Sequence, residues 1–145
     1  MGVKYLAINV KRVMMLMVLS SLSVAACTGD KEGQVPNVPV NYRIPLQQFQ
    51  VQNKNGVLLV NGHGVAGLII IHKVGDSYAV YDRCSTVNPL KKCALTVDDS
   101  GLEATDPCSG AKFSLYDGTP TKAPGKRSLR AYTVFINNAE LVVSN

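Results

Sequence analysis

The sequence lacks several features on which common functions depend. Its 145 residues include only two histidines, His63 and His72, and neither lies near a Gly-x-Ser-x-Gly motif. The chain has no glycine-rich phosphate-binding loop, no internal repeat and no low-complexity tract. A serine hydrolase of the nucleophile-elbow type and a phosphate-loop enzyme are therefore not expected. We interpret His63 as an exposed loop residue and His72 as the end of a strand, and we expect neither to bind a metal.

Long helical patterns are also missing from Tyr42 onward. No ten-residue stretch there has apolar residues at helical spacing without an interrupting Gly or Pro. Short apolar runs instead alternate with turn residues, which predicts an all-β, antiparallel domain. The fully apolar run Gly67–Ile71 predicts a strand buried on both faces. Three hairpins are predicted, each from two runs around a Gly or Asn turn: 68–73 with 78–82, 95–97 with 102–104, and 130–136 with 141–143.

The N-terminal region has the three-part layout of a secretory signal peptide. Basic residues precede an uncharged run, Val13–Ala26, which ends in small side chains directly before Cys27. As a helix, this run would rise about 21 Å, which is short of the ~30 Å hydrocarbon core of a bilayer. The segment Leu22–Cys27 resembles the lipobox of bacterial lipoproteins. That resemblance implies lipidation of Cys27, export, and anchoring to an envelope membrane, with the outer membrane and periplasm as the expected location.

Three segments are predicted from this pattern: a signal peptide, residues 1–26, a lipidated tether, residues 27–40, and a β domain, residues 41–145. The tether prediction rests on the few apolar side chains of residues 28–40. Removing residues 1–26 removes three of the 15 basic residues and none of the ten acidic ones, so the net charge falls from +5 to +2. The basic charge is therefore largely a property of the signal, and it does not indicate nucleic-acid binding.

Cysteine-bearing loops follow the predicted strands. Cys84, Cys93 and Cys108 lie in predicted loops that contain Pro or Gly, and export would place them where disulfides persist. The segments 78–84, 106–113, 117–120, 123–125 and 129–134 resemble a Rieske iron–sulfur domain in content and order. The resemblance implies an antiparallel sandwich or partly open barrel. Two adjacent loops, 84–92 and 106–112, would form its tip below a proline-containing loop.

The ligand positions of that family are mostly altered here. By resemblance, a Rieske 2Fe–2S cluster takes two cysteines and two histidines from the two loops. Cys84 aligns with the first ligand, but Thr86, Asp106 and Ser109 stand at the other three positions. Rieske ligation requires thiolates on one iron and imidazoles on the other. The resemblance therefore implies a kept fold and a lost cluster, with no catalytic residue, no metal and no cofactor expected.

The same resemblance implies a disulfide between Cys93 and Cys108, which leaves Cys84 as a free thiol. Pairing of Cys84 with Cys108 is the rival arrangement. A group of basic residues near the proline loop is interpreted as a solvated face, with contact to anionic lipid headgroups or to a partner as the alternative. Its members are Lys122, Lys126, Arg127 and Arg130.

Two functions remain open. The leading hypothesis is a membrane-tethered binding or structural module that is not an enzyme. Its envelope partner is unidentified. The alternative is a redox protein, either an electron carrier with an atypically held 2Fe–2S cluster or a thiol-active domain that uses Cys84.

Overall fold

The computed structural model describes residues 33–145. The predicted signal peptide and Cys27 lie outside these residues. Residues 33–145 form ten strands, one short α-helix and one turn of 3₁₀-helix at Pro89–Lys91. The elements are β1 Asn41–Pro45, α1 Leu46–Gln52, β2 Val57–Val60, β3 Leu68–Lys73, β4 Ser77–Asp82, β5 Thr96–Val97, β6 Glu103–Thr105, β7 Lys112–Ser114, β8 Pro120–Lys122, β9 Ala131–Asn137 and β10 Glu140–Ser144.

Two antiparallel sheets form the domain. The larger has the order β1-β10-β9-β4-β3-β2, and the smaller has the order β5-β6-β7-β8. The three predicted hairpins are confirmed as β3–β4, β5–β6 and β9–β10. The last turn lies one residue later than expected, because Asn138 and Ala139 both have positive φ, at 48° and 61°. Such a pair matches the twist of a two-residue hairpin.

The larger sheet is buried on both faces at strand β3. Successive side chains of a strand point to opposite faces. Leu68 and Ile70 pack in one apolar core with β10 and α1, whereas Ile69 and Ile71 pack in a second core against the smaller sheet. All four are buried, which confirms the expectation from the uninterrupted apolar run.

The short helix α1 was missed by the sequence reasoning because its seven residues are shorter than the window searched for helical spacing. It follows Pro45, and its Phe49 is 1% exposed in the first core. Asn53 ends the helix by donating its side-chain N–H to the carbonyl oxygens of Phe49 and Gln50, both at 3.0 Å.

Apolar packing extends into the segment predicted as a tether. Within the described part of that segment, Val35 and Val40 are 3% and 6% exposed. Arg130 donates from Nη1 to the Val35 carbonyl oxygen at 3.3 Å, and the Asn145 side chain donates to the Val38 carbonyl oxygen at 3.0 Å. The packed part of the chain therefore begins before residue 41.

Candidate functional site

Three loops meet at one end of the domain, which we call the tip. Loop 1, residues 83–95, joins β4 to β5; loop 2, residues 106–111, joins β6 to β7; and the proline loop, residues 123–130, joins β8 to β9. Loops 1 and 2 are joined by a disulfide between Cys93 and Cys108. The expected adjacency of the two cysteine-bearing loops is confirmed.

Asp106 is the polar centre of loop 2. Its carboxylate is 1% exposed and accepts hydrogen bonds from the hydroxyls of Ser85 and Ser109, both at 2.6 Å, and from the Cys108 N–H at 2.8 Å. Ser85 belongs to loop 1, so the carboxylate connects the two loops. We call Ser85, Asp106 and Ser109 the carboxylate clasp. Two of these residues occupy ligand positions of the Rieske pattern, and their polar atoms bond to each other.

The hydrogen bonds of the clasp govern the ionisation of Asp106. Burial raises the pKa of this carboxyl, but the hydrogen bonds from Ser109, Ser85 and the backbone together leave it below its ordinary value. The ionised form is therefore favoured in the folded protein. Its contribution to stability is present above the unfolded pKa of about 3.9 and is lost as the pH falls through the lower, folded pKa.

Removing one hydrogen-bond donor of the carboxylate clasp should reduce the stability that the ionised Asp106 contributes. We expect Ser109→Ala to lower the free energy of unfolding by about 1.5 kcal/mol at pH 7, as for a hydrogen bond to a charged group. The difference from the wild type should shrink as the pH falls through the folded pKa of Asp106, which lies below its ordinary value, because protonation then removes the charge in both proteins. Urea unfolding at pH 7 and at an acid pH below that folded pKa measures this. Ser100→Ala is the control, because Ser100 bonds the exposed Asp98. An equal loss at both pH values would contradict the prediction.

Thr86 connects loop 1 to the proline loop. Its side chain is 5% exposed, and its hydroxyl donates to the Arg127 carbonyl oxygen at 2.8 Å. In this arrangement the hydroxyl proton is directed at a backbone acceptor. Thr86, which stands where the Rieske pattern has a histidine, therefore holds loop 1 and the proline loop together.

Cys84 is a fully buried thiol. Its Sγ lies 3.7 Å from the carbonyl oxygens of both Ser85 and Pro89. Burial raises the pKa of Cys84 to about 11, with further contributions from Asp82 and Asp106. The neutral thiol is therefore the form present near pH 7. Because the thiolate is the nucleophilic and metal-binding form, Cys84 is poorly suited to either role.

A single group of possible metal ligands occurs among residues 33–145. The ligand atoms of Cys93, Asp106 and Cys108 lie within 4.8 Å of one another. Both sulfurs belong to the disulfide and have no thiolate to offer. The Asp106 carboxylate is already engaged by the clasp. The three residues lie close together because the disulfide and the hydrogen bonds of the carboxylate clasp join loops 1 and 2.

Neither histidine is a member of that group. His63 packs edge-on against Tyr42, with ring centroids 4.9 Å apart. His72 stacks on Tyr78 at 4.8 Å, and its Nε2 lies 3.3 Å from the Asp76 carboxylate. His72 lies in β3, as expected, one residue before the strand ends.

A second buried carboxylate, Asp82, was not singled out by the sequence reasoning. It ends β4, is 0% exposed, and accepts four hydrogen bonds at its two oxygens. Its donors are the N–H groups of Val65 at 2.7 Å, Ala66 at 3.2 Å and Cys84 at 2.8 Å, and the hydroxyl of Tyr132 at 2.8 Å. Asp82 thereby fixes the start of loop 1 against β9 and the residue 61–67 connection.

Tyr132 and the backbone at Gly64 pack closely against Asp82. Burial, followed by the hydrogen bond to Asp82, raises the pKa of Tyr132, so this hydroxyl remains a donor. Gly64 has a φ of +65°, and a Cβ on it would meet Asp82 Oδ2 and lie 2.9 Å from the Tyr132 hydroxyl oxygen. The only sequence sign of this site is an Asp at the end of a strand, two residues before Cys84, and that sign is common in exposed turns.

The basic residues near the proline loop separate into two groups. Lys122, Lys126 and Arg127 are exposed, as a solvated face requires. Arg130 is half-buried, donates to the Val35 carbonyl oxygen and the Asn37 side chain, and lies 5.7 Å from the Tyr132 ring centroid. Arg130 therefore holds the N-terminal segment and does not share the role of the other three.

Solved structures with low sequence identity share this fold. The cyanobacterial plasma membrane Rieske protein from Synechocystis PCC 6803 is 18% identical, with a TM-score of 0.56 over 75% of this chain and 100% of that chain. The ferredoxin of carbazole 1,9a-dioxygenase from Nocardioides aromaticivorans IC177 is 19% identical, with a TM-score of 0.51 over 74% and 97% of the two chains. The sequence matches no protein-family model and no curated protein. The domain therefore has the Rieske-type fold, and these identities establish the fold alone.

The donor atoms at the four ligand positions do not fit a Rieske cluster. Such a cluster requires two thiolates and two imidazoles. The chain supplies one buried thiol, two hydroxyls and a carboxylate, and the three oxygen-bearing side chains already bond protein groups. Hard oxygen donors are poor replacements for sulfur and imidazole nitrogen.

Membrane attachment through a helix has no candidate in the described part of the chain. None of the helices within residues 33–145 has the length and apolar character needed to cross a bilayer.

Proposed function

We propose that this protein is a lipid-tethered binding or structural module, built on a Rieske-type domain that has lost most of its cluster ligands. The proposal is carried by the bonding at the altered ligand positions. Asp106 accepts from Ser109 and Ser85, and Thr86 donates to the proline loop. The bonds of Ser85 and Thr86 join the loops in place of a cofactor, and the bond of Ser109 holds Asp106 within loop 2. A cluster would have to displace them and find two further sulfur or nitrogen ligands.

The redox alternative rests on the fold and on Cys84, the one ligand position with its sulfur retained. An electron carrier would need an atypical donor set for its cluster. A thiol-active domain would need a reachable, ionisable cysteine. The complete burial of Cys84 and its raised pKa, about 11, oppose the second form. The iron content of the protein distinguishes an electron carrier from the module that we propose.

Iron and acid-labile sulfide analysis tests the missing cluster. We expect protein produced with ample iron and sulfide to be colourless and to contain substoichiometric iron, because one buried thiol cannot hold two irons. A Rieske ferredoxin produced in parallel is the control for cluster supply. Stoichiometric iron and sulfide, together with an iron–sulfur charge-transfer spectrum, would reject the module and favour the electron carrier.

Membrane tethering is tested at Cys27. The proposal follows from the lipobox-like Leu22–Cys27 and the short apolar run before it. We expect Cys27→Ser to abolish acylation, because the modified thiol is lost, while the control Ser21→Ala leaves acylation intact. Mass spectrometry of the mature N-terminus and membrane fractionation measure the outcome. An unmodified Cys27 in the membrane-bound native protein would contradict the tether.

A further inference from the structure

The described chain begins at the tip of the domain. Gly33 lies against loop 1 and the proline loop: a Cβ on it would be 2.8 Å from the Thr86 carbonyl oxygen and 3.2 Å from Cδ of Arg127. The buried Val35 then secures this segment to the domain. Any upstream anchor is therefore connected to the domain at the tip end.

The distance from the proposed anchor to the tip is short. Five residues lie between Cys27 and Gly33, so six Cα–Cα steps join them, and a fully extended chain spans at most about 3.5 Å per step. A lipid on Cys27 would therefore keep Gly33 within about 20 Å of the modified cysteine. This step rests on the proposed lipidation.

Four lysines surround the tip, and we call them the basic rim. Lys91 and Lys92 lie in loop 1, Lys122 ends β8, and Lys126 lies in the proline loop; all four are exposed. Within residues 33–145, none of these ammonium groups has a carboxylate within 4.0 Å. Their charges are available to an external partner.

Among residues 33–145, the acidic residues of the tip do not offset this charge. Asp82 and Asp106 are buried and satisfied by internal donors. Glu103, near β8, bonds Lys112 and Thr121. Leu90 is 89% exposed directly beside Lys91 and Lys92. An exposed apolar side chain among lysines suits a lipid interface, where the apolar group enters the headgroup region and the cations meet phosphates.

We infer that the basic rim binds anionic phospholipid headgroups of the membrane that holds the tether, so that the tip faces the bilayer. The lipid anchor keeps the domain near the bilayer, and the basic rim determines which end of the domain faces it. Lysines near an anionic surface strengthen binding roughly fivefold each, and the effect extends over about one Debye length of 10 Å. The short connection to Gly33 makes that range reachable.

Probes at opposite ends of the domain test the orientation. Leu90 lies in loop 1, whereas Val74, 98% exposed, lies in the β3–β4 turn at the other end of those strands. Leu90→Cys and Val74→Cys are labelled with a fluorophore without reductant, so that the Cys93–Cys108 bond remains. The native lipoprotein is reconstituted in phosphatidylcholine vesicles with and without an equal part of phosphatidylglycerol, each containing a lipid-borne quencher.

We expect quenching of the Leu90 probe to be at least several-fold stronger in the anionic vesicles, and quenching of the Val74 probe to be weak in both. Lys91→Glu combined with Lys126→Glu, or high salt, should abolish the difference. Equal Leu90 quenching in both vesicle types, or equal quenching of the two probes in anionic vesicles, would overturn the inference. Absent quenching with salt-sensitive binding of polyglutamate would also overturn it and assign the rim to acidic proteins.

Vesicle flotation separates these outcomes from failure of the tether. Protein that floats with vesicles of both compositions but shows no oriented quenching refutes the basic rim alone. Protein with an unmodified Cys27 that does not float with neutral vesicles refutes the lipid anchor. In that case, flotation restricted to anionic vesicles, with Leu90 quenched, would still support the rim.

Discussion

Asp82→Ala is expected to destabilise the protein by about 4 kcal/mol. The substitution leaves the N–H groups of Val65, Ala66 and Cys84 and the hydroxyl of Tyr132 without their acceptor. Each buried donor left unsatisfied costs about 1–3 kcal/mol, and entry of water offsets part of the total. Because stability of a domain is typically only 5–15 kcal/mol, this loss is a large share of it.

Chemical denaturation of the variant beside two controls measures this effect. Asp82→Asn keeps the size of the side chain but replaces one acceptor oxygen with a donor, so an intermediate loss is expected. Asp76→Asn removes the charge of an exposed carboxylate in the β3–β4 turn, keeps a side chain that tolerates the positive φ of 53° at this position, and should change stability by less than about 0.5 kcal/mol. A loss at Asp82→Ala as small as that at Asp76→Asn would refute the structural role of the buried carboxylate.

Loss of the disulfide is the second large effect. The Cys93→Ser/Cys108→Ser variant should lose about 3 kcal/mol, the value of the chain-entropy model for a loop of about 15 residues. The sequence separation of the two cysteines is 15. The destabilised region should be the tip, because the disulfide connects loops 1 and 2. The hydrogen bonds of the carboxylate clasp, which connect the same loops, should weaken as well.

Reductant provides the matched comparison. It should destabilise the wild type by an amount similar to the double substitution, and it should leave the double variant unchanged. Peptide mapping without reduction identifies the bonded pair. Recovery of a Cys84–Cys108 peptide, or resistance of the wild type to reductant, would contradict the assignment of the Cys93–Cys108 bond.

Local sequence patterns predicted most of the larger sheet. The short apolar runs of β3 and β4 and the turn residues between them specify a hairpin through interactions among neighbouring residues. The run 68–71 indicated burial on both faces because no polar residue interrupts it. The β9–β10 turn moved by one residue, since Asn tolerates positive φ equally well at either position and the cross-strand register decides between them.

The sequence predicted where the candidate site lies, but it did not predict how the residues of the site bond to each other. The order of the cysteine and proline segments placed the two loops together, and the structure agrees. Nothing in the sequence indicated that Ser85 would join Asp106 and Ser109, because Ser85 stands at no ligand position. Asp82 was also missed, because its four donors come from three separate segments of the chain, at residues 65–66, 84 and 132.

By itself, the sequence determined the β class, the hairpins, the position of the cysteine loops and the identity of the altered ligand residues. These depend on residue type and short-range spacing. The tertiary structure alone decided that Asp82 and Asp106 are buried acceptors, that Cys84 is inaccessible, and that the chain enters at the tip beside the basic rim. Burial and hydrogen-bond partnership depend on which distant segments pack together. No local pattern carries that information.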